Sequence, residues 1–371
     1  MNVLNAAVFV AIGLGLGLGA APPARADEPA APPALAKRFD SELPALLKKT
    51  GVPSVSFARI ENGRLAFVAT YGEQSPGVAA THDTLYNIAS MTKPVAAEVV
   101  LQLASDGVVS LDESMAPTWV DPDLAGDERS KQLTPRLALS HRTGLPNWRY
   151  QTDGTLRLLH APGESVGYSG EGYQYVARFA EKKTGKPFDA LMRERLFQPL
   201  GMTRTTFRDE ARLRGAYAMP TDKAGKTLPA DFASTDWNAA DDLYTTPSDY
   251  ARFMLDVIRG DHLSADIAAQ RRQVQADTRA NTCAGAKAVH CPDAVGFGLG
   301  WEVLRFGERT VLMHTGMDKG EFTLGYIDLA DRSGTVIFTN SAVGYQTVLP
   351  ILDMIGKESE FVAYLRTQAG Q

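Results

Sequence analysis

The sequence predicts an α/β fold of the α+β type: an antiparallel sheet built from both chain ends and flanked by helices, with a mostly helical domain inserted between them. Three observations predict it. Strand-like runs cluster at residues 52–71 and 297–339, helical periodicity fills much of the stretch between, and neither strand set is comfortable alone. With 371 residues, 44% of them hydrophobic and 22% charged, the chain holds about two domains and has the make-up of a soluble protein. That composition speaks against wholesale disorder and against a multi-span membrane protein. The net charge of -5, without a run of five or six like charges, leaves no electrostatic footprint for nucleic acid. Small or uncharged substrates fit better.

In chain order, the first element is a leader. Residues 6–21 are apolar without a break, and Pro22, Pro23 and Ala24-Arg25-Ala26 follow, which predicts a signal peptide over 1–26 cleaved after Ala26. Residues 1–5 lack the Lys or Arg usual before such a run. The mature protein is expected in the periplasm or outside the cell, with no stable membrane anchor. A Pro/Ala-rich linker covers 27–34, and then Leu35, Phe39, Leu43, Leu46 and Leu47 recur at helical spacing up to Gly51, with Pro44 as a kink point. Strands are expected over 52–60 and 64–71, joined by the hairpin signal Asn62-Gly63.

The middle of the chain reads as helical. One helix carries Val95, Val99, Val100 and Leu103 and stops at Asp106-Gly107, one opens at Thr134-Pro135, and one spans 171–183 before Gly185 and Pro187. Strands return over 297–304, 310–314, 322–327 and 335–339, and a closing helix over 345–365. The implied division is a discontinuous sheet-and-helix domain, 35–88 with 292–371, around a helical domain over 89–291. Cys283 and Cys291, the two cysteines of an exported chain, are expected to form a disulfide closing a short loop. A zinc site that adds His290 is the rival reading, disfavoured because three ligands crowd into so few residues.

A serine becomes nucleophilic when a base lies near it, and Ser90-Met91-Thr92-Lys93 puts a lysine one helical turn away. The i,i+3 spacing places both side chains on one helix face, and the helix N-terminus disfavours a protonated lysine there. With Tyr168-Ser169-Gly170 and His314-Thr315-Gly316 following in order, the chain resembles the serine β-lactamase and penicillin-binding-protein superfamily. The branch it resembles holds class C β-lactamases, DD-peptidases and related esterases, with S-x-x-K, Y-x-N and K/H-T-G motifs. Leu139-Ser140-His141-Arg142-Thr143-Gly144-Leu145-Pro146 and Asp242-Leu243-Tyr244-Thr245-Thr246-Pro247 also look like family segments, so the likeness runs over about residues 35–340.

The resemblance implies the catalytic roles. Ser90 would be acylated, Lys93 would take or relay its proton, Tyr168 would be the second proton-transfer group, and His314 would reach Tyr168 or the leaving group. Backbone N–H groups of Ser90 and Met317 would form the oxyanion hole, and Thr315, Gly316 and Gly170 would face the substrate. Lys93 and Tyr168 are expected to titrate as a pair. Gly170 stands where the family has asparagine, which removes an amide that holds a substrate's acylamide and weighs against β-lactam hydrolysis.

Plainer roles exist for each residue: Ser90 as a helix cap, Lys93 on a solvated face, Tyr168 as a half-buried aromatic, His314 as a structural strand-end group. His141 is expected to order the Gly144-Leu145-Pro146 turn, and Trp148 and Tyr150 to line a cleft or pack in the core. The resulting expectation is an exported serine hydrolase, needing no cofactor, for a small ester or peptide-like amide. The alternatives are a β-lactamase or D-alanyl-D-alanine carboxypeptidase, and a penicillin- or peptidoglycan-binding sensor without turnover. Oligomeric state is not encoded in any readable pattern.

Overall fold

The structure, a computed structural model, describes residues 28–230, 232, 237–356 and 359–370, so the expected leader lies outside the described residues. At Asn62 and Gly63 the backbone takes φ of 51° and 71°, the two left-handed positions that fold β1 (Ser54–Glu61) onto β2 (Arg64–Ser75). Edge strand β3 (Val78–Ala79) follows, and β4 (Tyr86–Asn87) pairs with β5 (Tyr244–Thr245) in a small separate ladder. The remaining strands are β6 (Ala276–Asp277), β7 (Ala294–Phe297), β8 (Glu302–Phe306), β9 (Arg309–Met317), β10 (Phe322–Asp328) and β11 (Ser333–Thr339). They join the first three in one nine-stranded sheet ordered β3-β2-β1-β11-β10-β9-β8-β7-β6. The junction of β1 with β11, Val55 opposite Thr339, is the expected union of the two chain ends, and it is antiparallel.

Both faces of this sheet are covered, so β1 and β11 are buried along nearly their whole length, polar Ser54, Ser56 and Arg59 included. Phe57 and Ile337 face the helices Pro33–Thr50, Val348–Ile355 and Glu360–Gln368, whereas Ala58, Val336 and Phe338 face the helix Pro247–Arg259 and the helical middle of the chain. At the centre of that middle lies the helix Thr92–Ser105, buried from Thr92 to Leu103. The helix Gly170–Thr184 has Ser169 as its cap and Gly185, φ 72°, as its stop, while the one opened by Thr134 is only Pro135–Leu139.

Four expectations need adjustment. The first helix starts at Pro33, inside the expected linker, and runs through Pro44 to Gly51. The strand expected over 297–304 is a hairpin corner between β7 and β8, because Gly300 takes φ 92° and lies so near the central helix that a Cβ would sit 2.3 Å from that of Ala97. The closing helix over 345–365 is two helices, broken at Gly356 with φ 79° and restarted by the Ser359 cap. Finally, the sheet layer reaches back beyond the boundary expected at 292: β6 pairs with β7, and Tyr250 packs edge-on against Phe338.

Candidate active site

Ser90 lies on the tight turn Ala89–Met91 that leads into the central helix. Ala89 holds φ 46°, a cost of order 1 kcal/mol or more for a residue with a Cβ. Three bonds hold this turn: Ala89 N–H donates to Asn87 Oδ1 at 2.9 Å, Thr92 Oγ1 donates to Ala89 O at 2.7 Å, and Ile88 N–H donates to Leu243 O at 2.9 Å. The sheet closes on the turn from the other side. Thr323 Oγ1 donates to Ile88 O at 3.0 Å, and a Cβ on Gly316 would lie 2.1 Å from that oxygen, so only glycine lets β9 come this near. The His314-Thr315-Gly316 end of β9 is thereby held beside Ser90, with Met317 the strand's exposed last residue.

Lys93 is fully buried, and its Nζ bonds Ser90 Oγ at 2.9 Å and Ala240 O at 2.9 Å. Burial pushes the Lys93 ammonium down from 10.5 to about 7, with the Asp241 carboxylate pulling it back up. Asp241 itself is pushed up by burial and by Asp242, and Lys93 opposes this. The sequence reading missed Asp241. Its only signal was that it is an acid directly ahead of Asp242, the first residue of the family-like segment at 242–247.

Tyr168 places its ring centre 4.7 Å from Lys93 Nζ. Burial raises its pKa well above 10, so it stays a neutral phenol. Burial holds Lys93 itself toward neutrality as well, and the carboxylate that opposes this is that of Asp241. His314 is buried, with Nδ1 2.7 Å from Thr315 O; since a carbonyl only accepts, Nδ1 carries the proton and Nε2 is left as an acceptor. Burial, reinforced by Lys93, pushes its pKa down to about 3.

His141 takes φ 57° and stacks on the Tyr168 ring, centroids 4.3 Å apart and planes at 27°. Its Nδ1 accepts from Ser169 N–H at 3.0 Å and its carbonyl from Gly167 N–H at 2.9 Å. It therefore holds the 167–169 strip, where the sequence had suggested the 144–146 turn. Burial keeps it neutral, its pKa well below 6.5. Ser169 is spent as a cap, donating to Pro146 O and accepting from Gly172 N–H. Gly170 N–H donates to Asn147 Oδ1 at 2.9 Å, and the Trp148 ring lies where a Cβ on Gly170 would crowd it. Cys283 and Cys291 are disulfide-bonded, Cα atoms 5.9 Å apart, beside the apolar layer on the sheet face that carries Phe57 and Ile337.

The arrangement can do acyl transfer. A hydroxyl touches an amine that burial keeps near neutrality at pH 7, and a neutral phenol and imidazole stand beside it.

The family model described as Beta-lactamase matches residues 39–352. Penicillin-binding protein 4 of Amycolatopsis lactamdurans is 27% identical over 333 residues, covering 83% of this chain and 84% of that one. The D-alanyl-D-alanine-carboxypeptidase/endopeptidase AmpH of Escherichia coli (strain K12) is 23% identical over 323 residues, 79% of this chain and 80% of that one. Among solved structures, a class C beta-lactamase superposes with a TM-score of 0.72 at 19% identity, covering 91% of this chain and 99% of that one.

Proposed function

Because this chain belongs to the beta-lactamase family and is a serine hydrolase, we propose that it is an exported enzyme that cleaves a small ester or peptide-like amide through an acyl-enzyme on Ser90. The observation that carries this reading is the bond from fully buried Lys93 to Ser90 Oγ at 2.9 Å. Neutral Lys93 takes the Ser90 proton as Oγ attacks the carbonyl carbon, and the oxyanion forms against the Ser90 and Met317 N–H groups. The bond to the leaving group then breaks, and the proton passes from Lys93 through the Tyr168 phenol to the departing oxygen or nitrogen. Water attacks the acyl-Ser90 ester, surrenders a proton by the same route, and regenerates the serine. The Nε2 lone pair of His314 supports the Tyr168 hydroxyl or orders the water.

Two features favour esters and simple amides over β-lactams. Neutral His314 offers no cation for a substrate carboxylate, and Gly170 offers no side-chain amide. The relatives keep D-alanyl peptides as a second reading, since one of them is named a D-alanyl-D-alanine-carboxypeptidase.

A fluorophosphonate probe tests the mechanism. It should label Ser90 stoichiometrically, and Ser90→Ala should abolish both labelling and p-nitrophenyl acetate hydrolysis; labelling that persists in the variant rejects it. Turnover of many equivalents of that ester separates an enzyme from a sensor that is acylated once.

A further inference from the structure

Gly170 opens the helix that follows Tyr168, and its lack of a side chain has a specific use. A Cβ there would lie 2.8 Å from Cη2 and 2.9 Å from Cζ3 of Trp148, so the indole rests on bare backbone. The same ring has its centre 5.9 Å from Lys93 Nζ, and that nitrogen is 2.9 Å from Ser90 Oγ. Lys93 and Tyr173 are buried, but Trp148 is only half-buried, so its ring links the interior beside the lysine to solvent. Phe297 and Tyr168 are half-buried too, with ring centres 6.0 Å apart. Apolar side chains near this wall in sequence are exposed: Tyr150 at 73% and Leu159 at 60%, with Met317 at 64% on the β9 end. A half-exposed aromatic wall gains from covering a hydrocarbon or aromatic group and gains nothing from a methyl group too short to reach it.

We infer that Trp148 is a specificity-determining residue, its indole forming the platform on which an aromatic acyl group of the substrate packs while that group is esterified to Ser90. Gly170 is the position that makes room for it. The inference rests on Ser90 being the acylated residue and names the substrate class for that site.

The test compares p-nitrophenyl phenylacetate with p-nitrophenyl acetate, which share a leaving group and differ in the acyl part. Wild type should favour phenylacetate in kcat/KM by about tenfold or more, since ring stacking and burial together are worth an order of magnitude or so. Trp148→Ala should collapse that ratio toward one, chiefly through KM, while Trp148→Phe should keep most of it. Gly170→Ala, which pushes the ring away without removing it, should lower the ratio as well, with circular dichroism checking its fold. A ratio unchanged in Trp148→Ala and Gly170→Ala overturns the inference, as does a wild-type ratio near one. Failure of the underlying reading looks different: wild type would then hydrolyse neither ester with Ser90 labelled.

Discussion

Lys93 does its chemistry because it is out of water. Its amine lies between Ser90 Oγ and Ala240 O with three aromatic rings around it, and that desolvation lowers its proton affinity more than Asp241 restores it. A pH dependence follows with a definite sign. The acylating form needs neutral Lys93, so kcat/KM should rise with pH through a value near 7. The Asp241 charge favours the protonated amine, so Asp241→Asn should move this rising limb to lower pH by about one unit. A pH–rate profile that stays in place, or moves to higher pH, would refute the assignment. His141 shows how a residue can be legible and still misplaced: its motif marked it, but its partners at 167–169 lie more than twenty residues away in sequence.

At the scale of elements, the central helix Thr92–Ser105 is anchored to the helix Ala265–Arg271 by one ion pair. Arg271 Nη1 donates to Glu98 Oε1 at 2.6 Å with both side chains at 2% exposure or less, and Arg271 Nη2 also donates to Val257 O. Removing one partner strands a buried charge. Glu98→Ala should therefore cost about 3–5 kcal/mol in denaturant unfolding, whereas Glu98→Leu combined with Arg271→Met should recover most of it. A loss below about 1 kcal/mol for the single variant would show that water reaches the pair. Glycine carries the elements the sequence misassigned. A glycine inside an apolar run reads as a tolerated interruption, yet Gly300 turns β7 into β8 and Gly356 cuts the closing helix in two, since each holds a positive φ. Which glycines do so depends on what lies beside them, such as Ala97 against Gly300.

For the whole molecule, no helix among the described residues is long and apolar enough to cross a membrane. The Cys283–Cys291 bridge is the feature that supports the proposed export. Intact mass of the protein purified from the periplasm or medium without reductant should place the N-terminus at Asp27 and show the two cysteines linked. Retention of residues 1–26, or two free thiols, would count against export.

The division between sequence and tertiary structure follows the range of the interactions. Local spacing determined the β1–β2 hairpin, the cap at Thr134, the lysine one turn from Ser90 and the family motifs, because each rests on contacts within a few residues. Periodicity also sufficed for the antiparallel sheet from both chain ends, since isolated strand sets need partners. Only the folded chain decided that Lys93 is dry, that Asp241 is the charge it faces, that His141 grips the Tyr168 strip and that Trp148 occupies the space above Gly170. Those facts come from segments far apart in sequence converging around Lys93, where burial sets proton affinity and excluded volume sets shape, and neither quantity is written in a local pattern.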